Sequence, residues 1–183
     1  MMAFQNGDEG AFEQILDKYH RPIVNFIYKI VNNRGEAEEL TQDVFLRIYR
    51  AKDRYEPRAR FASWIYRIAT NVSLKAANRA RRLRIWSPST EEQSLVRETF
   101  RDYRPNAETQ MVQAECGEVV RRAIRRLPPK ERVAIVLRRY EGLSYKEIAD
   151  AMSCTEAAVK TYIHRGKLHV RDWILNYVKK GTL

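Results

Sequence analysis

Across two stretches of this 183-residue chain, apolar side chains return every three or four residues, and no window holds the period of two that a strand requires. That periodicity confines the chain to helices. Phe12, Ile15, Leu16, Tyr19, Ile23, Phe26, Ile27 and Ile30 form the first stripe, with Pro22 opening or kinking a new turn. The segment 32–36 reads as a turn. A second helix follows with Ala37, Leu40, Val44, Phe45 and Ile48 on one side, and a third begins near Phe61 and buries Trp64, Ile65, Ile68, Ala69, Val72 and Ala76. In the second stretch Val112, Cys116, Val119, Val120, Ala123 and Leu127 share a face, stopped by Pro128 and Pro129. A helix over about 130–140 comes next. Ser144 and Glu147 then form a capping box that starts a short helix, and Thr155 is a good N-cap for a last one. That last helix turns Val159, Ile163, Gly166, Val170, Trp173 and Tyr177 inward. Gly166 permits a kink, since glycine costs about 1 kcal/mol against alanine in a helix interior.

Residues 85–110 break this pattern. They hold no sustained apolar period and contain Pro88 and Pro105 among turn-prone Ser, Thr and Asn. The expected architecture is therefore all-α: two small helical domains, 1–84 and 111–183, joined by a flexible linker over 85–110. Helix, short turn and helix, with the small Ala149 at the crossing, make the C-terminal domain a helix-turn-helix. The linker spans at most about 85 Å when extended, and as a coil its ends lie about 30 Å apart. Two turns of duplex are about 70 Å. The isolated chain is thus expected to bind a two-element site weakly.

Charge follows the same division. The net charge is +11, with 16 basic and 10 acidic side chains in 1–84, 3 and 5 in 85–110, and 15 and 8 in 111–183. A positive field of this size makes a polyanion the first partner to consider. No apolar run approaches the roughly 18 residues of a membrane span. The start, MMAFQNGDEG, lacks the basic flank and apolar core of a secretory signal. Cys116 and Cys154 make no disulfide framework and no CxxC pair. The expectation is a soluble cytoplasmic protein without membrane insertion.

Three outer faces carry functional possibilities. On the second helix Glu39, Gln42, Asp43 and Leu46 share a side, which reads either as a solvated face or as a docking surface. A metal-dependent nuclease would need ligands these carboxylates do not supply: Glu36, Glu39 and Asp43 lie on a surface stripe without a His. His164 and His169, five apart, fall on different faces, so no metal or other cofactor is expected. Between the second and third helices lies a basic loop, 52–60, with Tyr55, Arg58 and Arg60, and the third helix exposes Arg67, Asn71 and Lys75. Cations beside an aromatic suit single-stranded nucleic acid, although a solvated basic helix end has the same composition. The last helix places Lys160, His164, Lys167 and Arg171 at i, i+4, i+7 and i+11, the arrangement a major-groove helix needs.

Taken together, AEELTQDVFLRIYRA (37–51), FASWIYRIATN (61–71), LPPKERVAIVLRRYEGLSYKEIADAM (127–152) and VKTYIHRGK (159–167) resemble, in order, a bacterial RNA polymerase sigma factor of the extracytoplasmic-function (ECF) type. The resemblance implies an initiation factor, not an enzyme, whose partners are core RNA polymerase, promoter DNA and an anti-sigma protein. It makes Glu39, Gln42, Asp43 and Leu46 a polymerase interface. It places Tyr55, Arg58, Arg60, Arg67, Asn71 and Lys75 at the melted minus-ten element, and Thr155, Lys160, Thr161, His164, Arg165, Lys167 and Arg171 at the minus-thirty-five duplex. The chain departs from the family pattern at Ser153, where glycine is common, at Glu156-Ala157-Ala158, at Tyr162 and at Gly166. A dimeric helix-turn-helix repressor or activator acting without polymerase is the alternative, and it leaves the first stretch unexplained.

Overall fold

The computed structural model describes residues 1–57, 60–86 and 117–179, and among these every regular element is helical. In chain order they are α1 (Met2–Gln5), α2 (Gly10–Val31), α3 (Arg34–Arg50), a short 3-10 turn (Lys52–Arg54), α4 (Phe61–Trp86), α5 (117–125), α6 (Pro129–Arg139), α7 (Tyr145–Met152) and α8 (Glu156–Lys179). The linker expected over 85–110 lies outside the described residues from position 87 onward; its first two positions belong to the end of α4.

Helix α2 buries Ile15, Ile23, Phe26, Ile27 and Ile30 and continues as one helix past Pro22, so the proline does not open a new helix. The helix stops where Asn32 takes a left-handed φ of 59°. One residue later the Asn33 side chain accepts the backbone N–H of Glu36 at 3.0 Å and starts α3. The expected five-residue turn is therefore only two residues long. Helices α2, α3 and α4 pack on one another, and α1 seals their end: Phe4 is buried and stacks on Phe12 with ring centroids 5.0 Å apart. Gln5 donates to the Tyr55 carbonyl at 2.8 Å, tying α1 to the loop that leads into α4.

In the C-terminal half, Pro129 occupies the first turn of α6, where its missing N–H costs nothing. Both arms of the capping box form at α7: Glu147 N–H donates to the Ser144 hydroxyl at 3.2 Å, and Ser144 N–H donates to the Glu147 carboxylate at 2.8 Å. Ser153 ends α7 in the left-handed region (φ 51°), and Thr155 caps α8 by accepting Ala158 N–H at 3.2 Å. Helix α8 continues unbroken through Gly166. A Cβ on that residue would fall 2.6 Å from Ile135 Cδ1, so the glycine serves a close α6–α8 crossing and not a kink.

The two halves do not stand apart. Helix α7 lies along α4, α6 touches both α4 and α2, and the buried apolar residues of both halves form one continuous cluster.

Candidate nucleic-acid and polymerase interfaces

Helix α3 is amphipathic enough that its inner face is settled by Ala37, Val44, Phe45 and Ile48. The opposite side is left to solvent. Glu39 and Gln42 are exposed there, Asp43 is half-exposed, and Leu46 keeps 53% of its surface accessible with Tyr49 beside it at 50%. Asp43 accepts three hydrogen bonds from Arg47 one turn away, at 2.9, 3.0 and 3.1 Å. The result is a surface with Leu46 set among carboxylates, beside Tyr49, whose ring packs edge-on against Phe12 at 5.3 Å and near Phe4 at 5.4 Å.

The basic loop and α4 behave differently from residue to residue. Arg67, Asn71 and Lys75 are exposed along α4, as their spacing requires. Arg58 lies outside the described residues. Arg60 is exposed, with its guanidinium 3.9 Å from the Glu147 carboxylate of α7. Tyr55 is only 8% exposed. It packs edge-on against Trp64 (centroids 4.8 Å apart) and touches Phe61, and burial pushes its phenol above the ordinary range. In this arrangement its ring supports Trp64 and borders a cavity. A cavity of about 750 Å3 opens between the halves here, with Tyr55, Trp64 and Arg67 on one wall and Asp150, Ser153 and Cys154 on the other. Cys154 is half-buried, and burial raises its thiol more than Lys130 lowers it, which keeps it the unreactive thiol.

On α8 the expected face is fully assembled. Lys160, Thr161, His164, Arg165, Lys167 and Arg171 are all exposed, with Thr155 exposed at the cap, while Val159, Ile163 and Gly166 are buried behind them. The Thr161 hydroxyl bonds back to the Ala157 carbonyl at 2.9 Å, and Arg171 is held by Asp172 at 2.8 Å. His169, on another side, pairs with the buried Glu131 of α6 at 2.7 Å and pins α8 to α6. Tyr162 turns partly inward, and Lys130 lies over its ring at 5.9 Å. Among the described residues no three His, Cys, Asp or Glu side chains are grouped to hold a metal, and no helix is long and apolar enough to cross a membrane.

A further set of polar residues joins the halves, and helical spacing does not single it out. Ser63 on α4 donates to Glu147 at 3.2 Å, and the Tyr66 hydroxyl donates to Glu141. Burial, then the Glu141 carboxylate, drives the Tyr66 phenol far above its ordinary range. Arg132 inserts from α6 and donates to the carbonyls of Ile30, Arg125 and Leu127. Burial, with Arg125 nearby, pushes its guanidinium down to about 10, still charged at neutral pH. It therefore carries positive charge to the carbonyl end of α2, where the helix dipole is negative. Glu147 is held below the usual carboxylate range, first by the Ser144 backbone N–H and then by the Ser144 hydroxyl, outweighing burial, with Ser63 and Arg60 adding to the effect. The capping box was the one visible signal in this set.

Comparison with known proteins agrees with this layout. Residues 15–83 match Sigma-70 region 2, and residues 117–170 match Sigma-70, region 4. The ECF RNA polymerase sigma factor SigW of Bacillus subtilis is 31% identical over 170 residues, covering 91% of this chain and 90% of that protein. The ECF RNA polymerase sigma factor SigE of Mycolicibacterium smegmatis is 30% identical over 174 residues; the match covers 93% of this chain and 65% of the relative. In fold, the chain is similar to the sigma factor RpoE solved in complex with the anti-sigma factor NepR from Bartonella quintana, with a TM-score of 0.69 over 90% of this chain and 96% of that one at 19% identity. This chain belongs to the ECF RNA polymerase sigma factors.

Proposed function

We propose that this protein binds core RNA polymerase in the cytoplasm, directs it to specific promoters and helps open the duplex for initiation, with no catalysis of its own. Residues 1–84 are the polymerase-binding and minus-ten unit, 85–110 the tether, and 111–183 the minus-thirty-five unit. Glu39, Gln42, Asp43 and Leu46 dock on polymerase, with Tyr49 extending the apolar part of that patch. Arg60, Arg67, Asn71 and Lys75 track the phosphates of the melted strand, whose exposed bases stack on an aromatic side chain; Arg58 is assigned to the same strand. Tyr55 contributes by holding the Trp64 ring. Thr155, Lys160, Thr161, His164, Arg165, Lys167 and Arg171 meet the duplex, cations on phosphates and donors on base edges. An anti-sigma protein is the expected regulator, as RpoE of Bartonella quintana has NepR.

The observation that carries this reading is the ordered pair of sigma regions in one chain, each presenting a different exposed face. A dimeric operator-binding protein has no use for the α3 patch. Mobility-shift titration of a two-element promoter with the isolated chain, and again with core polymerase added, separates the two. Weak binding alone and tight, promoter-specific binding with polymerase are expected. Nanomolar binding by the isolated chain in physiological salt would contradict the proposal.

A further inference from the structure

Helix α1 reaches the loop to which strand binding has been assigned. Gly7 turns the chain at a left-handed φ of 97°, and Asp8 accepts Ala11 N–H at 3.2 Å, so α1 is an element of its own packed on α2. Phe4, only 1% exposed, lies against the rings of Phe12 and Tyr49 at 5.0 and 5.4 Å. Its own ring receives Lys52 Nζ, 4.6 Å from the centroid, a cation–π contact from the first residue of the 3-10 turn. Beside it, Gln5 Nε2 donates at 2.8 Å to the carbonyl of Tyr55, the residue that closes that turn. Adjacent residues of α1 therefore hold both ends of the turn. From there the contacts run on to the strand face. The Tyr55 ring meets Trp64 at 4.8 Å and Phe61 at 6.1 Å, and Phe61 meets Trp64 at 5.6 Å. Trp64, half-buried, lines the cavity together with Arg67.

We propose that Phe4 and Gln5 are positioning residues for the melted strand: α1 clips the Lys52–Tyr55 turn, and so sets Tyr55, and through it the Trp64 ring beside Arg67, before DNA arrives. This rests on the assignment of the loop and α4 to single-stranded DNA. Neither residue touches the strand; both act through the turn. Sealing the apolar end of the domain accounts for Phe4 but not for Gln5, whose amide is spent on a carbonyl fifty positions away. A loop that must be ordered at the moment of binding costs affinity, whereas one ordered beforehand does not. If release of the clip leaves the loop in its binding arrangement about one time in ten, the strand is held about tenfold more weakly.

The test compares the full-length wild type with Gln5→Met, which removes the donor at nearly constant volume, and with Gln5→Met plus Phe4→Leu, which also removes the ring under Lys52. Each is combined with saturating core polymerase on a DNA fragment that the wild type transcribes. Permanganate reactivity of thymines then reads the equilibrium constant for opening. It is expected to fall about threefold in Gln5→Met, as one neutral hydrogen bond is worth, and about tenfold in the pair. Acrylamide quenching of Trp64, read in a Trp86→Phe, Trp173→Phe background, is expected to rise in the same order. Core-polymerase affinity and melting temperature of Gln5→Met are expected to match the wild type. Opening and quenching unchanged in both variants would overturn the clip. So would an opening defect that only follows a lower melting temperature or weaker core binding, since α1 would then be a plain cap on the domain. A wild type that opens no fragment would overturn the proposed function as well, whereas a wild type that opens DNA no better than the variants overturns the clip alone.

Discussion

Gly166 sits where α8 passes closest to α6, with Ile135 Cδ1 filling the space an alanine methyl would need. Two effects of similar size oppose each other there. Alanine favours the helix by about 1 kcal/mol, while forcing the Ile135 end methyl out of its rotamer costs about 0.5–1.5 kcal/mol. Gly166→Ala alone is therefore expected to change stability little. Combined with Ile135→Val, which removes the obstructing methyl, it is expected to show favourable coupling of about 1 kcal/mol in a double-mutant cycle followed by chemical denaturation. Additive changes would mean that Ile135 already has room to move. The glycine was legible in the sequence as an oddity in a helix; its purpose was not, because Ile135 lies 31 positions away and on another element. Tyr55 illustrates the same limit. Its place in a basic loop suggests a nucleic-acid contact but gives no sign of its packing on Trp64, a contact that depends on how the loop turns into α4.

At the scale of elements, sequence and structure agree best where the determining interactions are local. The stripes of α2, α3 and α4, the capping box of α7 and the exposed cations of α8 all follow from a period of 3.6 and side chains three or four apart. Pro22 departs from this because packing on both sides of α2 outweighs one lost hydrogen bond. Two elements can be tested on their outer faces. Leu46→Glu on α3 touches no buried contact and should leave stability within about 0.5 kcal/mol. It should weaken binding to core polymerase by about tenfold or more, as for an apolar anchor in an interface centre, measured by fluorescence titration. Unchanged affinity would remove α3 from the interface. On α8, Lys160→Ala should weaken duplex binding across all sequences and lower the slope of log affinity against log salt by about 1, as one lost phosphate contact does. A sequence-selective loss with an unchanged slope would instead make Lys160 a base reader.

The whole molecule is less legible than its parts. Contacts between residues 63 and 147, 66 and 141, and 30 and 132 span 84, 75 and 102 positions, and no periodicity announces which helix of one half will lie on which helix of the other. The net charge of +11 points the same way: it indicates a polyanion but conceals the carboxylates that α7 sets against α4. The proposed docking of the acidic and apolar face of α3 on polymerase is what separates an initiation factor from a plain DNA-binding protein. Run-off transcription with core polymerase on fragments of the genome that encodes this chain tests that distinction most directly. Discrete transcripts from a small set of fragments are expected only when the protein is added, and they should fall in step with core binding in the Leu46→Glu variant. No initiation from any fragment, with core polymerase active and the protein folded, would contradict the account.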